Sequence, residues 1–130
     1  MAVVILTTSC SVLFDIGARK TKIVAAPFGK TERVTKYKLG GVKPTGHVIW
    51  GDDVEDGSDC AIVITNVSLS RPVFSHYFTY KREAAGSGYN FYSGGIVELD
   101  RYWYKKVGRF VVALYVENKR ISTDTFDILP

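Results

Sequence analysis

The chain contains no glutamine, one methionine, two histidines and two cysteines, and only 5 of its 130 residues are glutamate. With so few straight-chain helix formers, and with its alanines and leucines scattered rather than spaced at three and four, no helix longer than about two turns is expected. Two thiols in a chain of this length exclude a disulfide-framed miniprotein. The histidines are equally limiting. His47 has no second His or Cys at a ligand spacing, and nothing resembles a Gly-x-Ser-x-Gly nucleophile elbow. No apolar run reaches the roughly 20 residues of a membrane-spanning helix. The most apolar stretch, Ala2–Phe14, is interrupted by Thr7-Thr8-Ser9-Cys10 and lacks the positive flank of a signal peptide, so it reads as a first strand.

What the chain does have is residues suited to pleated, half-buried surfaces: 16 Val, 9 Ile, 10 Thr and 17 aromatics. Branching at Cβ and aromatic bulk restrict rotamers against a helical turn and pack well across strands. With a net charge of only +4, this much apolar surface offsets chain entropy, and the length suits one domain over residues 1–130.

Turn residues cut the sequence into short pieces. Strands are expected within Ala2–Asp15, Thr21–Ala26, Glu32–Leu39, His47–Trp50, Cys60–Asn66, Val73–Arg82, Tyr89–Tyr92, Ile96–Leu99, Arg109–Val116 and Arg120–Leu129. Cys60–Asn66 is apolar without a break, which suits a strand covered on both sides. In Val73–Arg82 the alternation is plain, with Phe74, His76, Phe78 and Tyr80 on one face. The last two strands form a hairpin around Asn118-Lys119, which sets Val116 opposite Ile121. That register leaves Phe126 and Ile128 on the wrong side, so one extra residue is expected near Asp124-Thr125 to turn them inward.

Roughly eight to ten short strands without crossover helices predict an all-β fold, an antiparallel β-sandwich of immunoglobulin-like or jelly-roll-like form, with a barrel as the alternative. The segment from Lys106 through the hairpin to Ile128 resembles the closing hairpin of immunoglobulin-like modules. The resemblance is one of architecture, and the Cys…Trp…Cys order of antibody domains is absent.

Charge is unevenly spread. Residues 1–50 carry eight Lys/Arg against two acids, residues 51–59 five acids and no base, and residues 60–130 nine Lys/Arg against six acids. The basic stretch of Arg19, Lys20, Lys22, Lys30, Arg33, Lys36, Lys38 and Lys43 suits either a phosphate backbone or solvated strand edges. The acidic loop of Asp52, Asp53, Glu55, Asp56 and Asp59 offers hard oxygen ligands for calcium, but EF-hand spacing fails and a solvated loop is the simpler reading. A third cluster is Tyr102, Trp103, Tyr104, Lys105, Lys106 and Arg109. Strand alternation there puts Trp103 on one face and both tyrosines on the other, the make-up of a binding platform. Gly86-Ser87-Gly88 begins like a dinucleotide loop but has Phe91 where a third glycine is required, so no cofactor is expected. Cys10 and Cys60 read as buried, reduced thiols, and Asn66-Val67-Ser68 fits a glycosylation sequon.

These features point first to a non-catalytic protein–protein interaction or self-assembly module, of the kind that builds virions, phages and filaments. The N-terminal strand is then suited to pair with a neighbour's sheet. The alternative is a carbohydrate- or nucleic-acid-binding module built on Tyr102–Lys106 and Arg109. An enzyme using His47 with Asp52 or Asp53 is the third reading.

Overall fold

The computed structural model describes residues 19–85 and 95–130. The expected strands within Ala2–Asp15, Cys10, the Gly86–Gly88 loop and the Tyr89–Tyr92 strand lie outside the described residues. The elements in chain order are β1 (Lys22–Pro27), β2 (Lys36–Lys38), β3 (Pro44–Ile49), β4 (Asp59–Asn66), β5 (Arg71–Thr79), one helical turn (Arg82–Ala85), β6 (Ile96–Glu98), a 3-10 turn (Trp103–Lys105), β7 (Gly108–Val116) and β8 (Lys119–Leu129).

The fold is all-β, with two layers. Six strands form one sheet in the order β2-β8-β7-β4-β5-β6, and β1 pairs with β3 in a second. Every pairing is antiparallel except that of β2 with β8, which run in the same direction. From β8 to β6 the order is that of the G-F-C-C′-C″ sheet of an immunoglobulin variable-type domain, with β1 and β3 in the places of A and B. The span 99–107, where D and E would follow, holds only the 3-10 turn, so among the described residues the covering sheet is two strands wide. The expected barrel alternative does not occur. β1 lies beside β8, but its outward N–H groups are taken by side chains: Ile23 donates to Ser122 Oγ at 3.0 Å and Ala25 to Asp124 Oδ2 at 2.8 Å.

Between the layers lie Ile23, Val48, Ile62, Ile64, Phe110, Val112, Leu114 and Phe126, each at most 2% exposed. Phe110 and Phe126 stack with centroids 5.4 Å apart. Gly46 lets β3 approach this core, because a Cβ there would fall 2.8 Å from both Ile23 Cδ1 and Val112 Cγ2.

Four local expectations change. On β4 only Cys60, Ile62, Ile64 and Asn66 are buried, while Ala61, Val63 and Thr65 are part-exposed, so the second face of this apolar strand is covered only in part. The last hairpin turns at Glu117-Asn118 instead of Asn118-Lys119, with φ of 50° and 65°, and Val116 faces Lys119. Glu117 tolerates that left-handed backbone because Asp59 holds it twice: Glu117 N–H donates to Asp59 O and Asp59 N–H to the Glu117 carboxylate. The extra residue exists and turns Phe126 and Ile128 inward, but it is Ile121, unpaired between Ser122 and Arg120, rather than Asp124 or Thr125. Ser122 and Asp124 therefore point inward too, which is why they reach β1. Finally, of Glu32–Leu39 only Lys36–Lys38 is strand.

Candidate functional site

Two features of this architecture are candidate surfaces. The first follows from the narrow covering sheet. Because β1 and β3 lie over β7 and β8, the inner face of β5 and β6 needs another cover, and Trp103 supplies part of it. Its ring is 1% exposed and packs against Phe74 at 6.2 Å and Phe110 at 5.5 Å. The cover is incomplete. A cavity of about 270 Å³ remains, walled by Ile64, Phe74, Trp103, Pro44, Phe28 and Ile96. Lys43, Thr45 and Glu98 are its polar lining. Lys43 Nζ donates to Glu98 Oε1 at 2.9 Å and stands 4.6 Å from the centroid of Tyr104 and 5.9 Å from that of Phe74. A cation is thus held over aromatic faces at the edge of an apolar space.

The second feature is the outer face of the six-stranded sheet. Register places residues in rows across the strands: Thr125, Val111 and Thr65; then Thr123, Ala113, Val63, Ser75 and Val97; then Tyr115, Ala61 and Tyr77. The first two rows carry no charge. Tyr77 is 57% and Val97 43% exposed. At the end of the face nearest β2, Asp127 lies between Lys36 and Arg109 and is bonded to both. Hydrogen bonding from Arg109, then from Lys36, holds its carboxyl well below the usual aspartate range.

The predicted site residues are redistributed. Tyr102, Trp103 and Tyr104 do not alternate as in a strand, since the chain there is a 3-10 turn. Trp103 is core. Tyr102 is exposed with Lys105 Nζ 5.0 Å over its ring, Lys106 is bound to Asp100 at 2.9 Å, and Arg109 sits on the outer sheet face with Asp127. No common aromatic and basic platform results. In the basic patch, Lys36 and Lys38 share the outward side of β2 around the buried Tyr37. Lys36 is neutralised by Asp127, and Arg33 makes a two-pronged bond to Asp124 at 2.8 and 2.9 Å. Arg19, Lys20 and Lys22 lie alongside the acidic loop instead of forming a ladder with β2. Their segment is bound to it, with Arg19 N–H on Asp52, and Thr21 N–H and hydroxyl on Asp53 at 2.9 and 2.7 Å.

That pairing also answers the calcium reading. Asp56 accepts from Arg82 N–H at 2.7 Å, and Asp59 belongs to the hairpin contact with Glu117, so Asp52, Asp53, Glu55, Asp56 and Asp59 do not converge. Among the described residues no group of three His, Cys, Asp or Glu is placed to hold a metal ion. His47 is half-buried on β3 and His76 lies inside β5, and burial lowers both below the usual histidine value. Neither they nor Asp52 and Asp53 line the flank cavity. Cys60 is a buried free thiol, pushed up to about 11 by burial. Asn66 is 6% exposed and accepts from Leu69 N–H in the β4–β5 turn, so the sequon asparagine is structural. No helix among the described residues is long and apolar enough to cross a membrane.

The cavity wall was not legible beforehand, because Glu98 and Phe28 carry no motif and come together only in the folded chain, 70 residues apart in sequence. The chain is defined by this geometry as an all-β sandwich with, among the described residues, an open flank and a part-exposed apolar sheet face. Comparison with protein-family models, with curated proteins and with solved structures returns no match.

Proposed function

We propose that the protein is a non-catalytic interaction module that associates with a second copy of itself through the outer face of its six-stranded sheet. The observation that carries this reading is the apolar make-up of that face, where Val111, Val63, Ala61 and Tyr115 are part-exposed and Tyr77 and Val97 exposed around the buried Ala113 and Ser75. Solvent-facing positions of a sandwich ordinarily alternate to polar residues, and contiguous apolar surface on a folded chain marks a contact. Charge favours a like partner. The cations at the end of the face nearest β2, Lys36 and Arg109, share Asp127 within the chain, so two such faces meet there with reduced repulsion. Tyrosines at the other end supply large area with a polar tip, as interface residues do.

Sedimentation velocity over a wide concentration range tests the reading. A concentration-dependent dimer is expected, and it is lost in Val63→Glu and Val111→Glu, whose half-exposed sites accept a charge without disturbing the core. A strict monomer at every concentration overturns it.

A further inference from the structure

The flank cavity is independent of the sheet face, and we propose that it binds a small aromatic carboxylate, of one ring or two fused rings. Size sets the scale. A dry apolar cavity of about 150 Å³ holds benzene, and this one measures about 270 Å³. Its walls choose the ring. Phe74, Trp103 and Phe28 present aromatic surface, with Ile64 and Ile96 closing the space, and aromatic groups gain from offset and edge contacts beyond burial alone.

Its edge chooses the charge. Lys43 is the cation of the lining, held by Glu98 and by the faces of Tyr104 and Phe74. Both members of the Lys43–Glu98 pair are about one-third exposed, at 32% and 30%, so the pair is screened and easily exchanged. A ligand carboxylate takes Lys43 while its ring enters the cavity, and Glu98 turns to solvent. One more group awaits an acceptor: the indole N–H of Trp103, a wall of the cavity, is buried and unpaired. A ligand oxygen within reach relieves that deficit.

Benzoate and methyl benzoate are the probes. In Trp50→Phe, Trp103 is the sole tryptophan, and benzoate is expected to change its fluorescence saturably and to raise the thermal midpoint. The ester, lacking the charge, binds about tenfold more weakly or worse. Lys43→Met abolishes the preference for the acid, and Ile96→Trp, which fills the cavity, abolishes binding of both probes. Circular dichroism checks each variant, and the Lys43 comparison stands alone if Ile96→Trp fails to fold. Absence of a saturable change at millimolar benzoate, equal affinity for acid and ester, or unchanged benzoate affinity in Lys43→Met each overturns the proposal.

Discussion

Along one flank of the sandwich, where β1 lies beside β8, side chains of β8 take up the free backbone donors of β1. Along the other, where β3 faces β5 and β6, apolar walls leave a space bridged by the part-solvated ion pair of Lys43 and Glu98. On the first flank Asp124 alone takes Ala25 N–H, two donors of Arg33 and Thr125 N–H. On the second, Lys43 and Glu98 are each solvated enough to let go. The contrast teaches that one side of the fold is held shut and the other left open, and both follow from the two strands that, among the described residues, cover the large sheet.

The largest expected effect comes from breaking the shut flank. Asp124→Ala orphans a part-buried backbone donor and frees Arg33, and is expected to cost about 2–3 kcal/mol in urea denaturation. Asp124→Asn keeps an acceptor for Ala25 and loses less. A loss no greater than that of an exposed residue would erase the distinction between flanks.

Acid probes the same side by titration. Burial alone would raise Asp124, but the bonds from Arg33, Ala25 and Thr125 together hold it below the ordinary aspartate value, and Asp127 is lowered further by Arg109 and Lys36. Carboxyls depressed in the fold stabilise it above their unfolded value of about 4, and that contribution is lost as pH falls through the folded values. His47 and His76 are lowered by burial, so the unfolded chain takes up protons first and stability starts to fall below about pH 6.5. Two declining limbs are expected in denaturation midpoint against pH. Asp127→Asn flattens the acid limb and leaves the histidine limb in place.

The smallest effect belongs to the open flank. Lys43→Met is expected to change stability by no more than about 0.5 kcal/mol, because a screened surface pair contributes little. A larger loss in the same denaturation series would make Lys43 a structural strap rather than a replaceable lid.

Much of the layered fold was legible because side-chain direction repeats every two residues. Phe74 and His76 are buried on one face of β5 as alternation requires, although Val73 and Ser75 on the other face are buried as well, and the mismatch of Phe126 and Ile128 revealed a bulge. Its position was not legible, since the true turn depends on Asp59 bonding Glu117 from 58 residues away. The 3-10 turn at Trp103 misled for a related reason. Tyr-Trp-Tyr reads as strand, but burial against Phe74 and Phe110 draws Trp103 inward and tertiary packing overrides local preference. The two binding surfaces were the least visible. β4 is apolar on both faces, and only the folded arrangement shows that one of them is buried and the other part-exposed.

One feature of the topology bears on how the protein withstands force. β1 and then β2 run alongside β8 in the same direction, β2 through a backbone ladder and β1 through Ser122 and Asp124. Tension applied between Lys22 and Leu129 therefore loads these contacts in shear, all at once, instead of peeling them one by one. Fastened at those two points, the chain resists pulling along the strands far better than pulling across them.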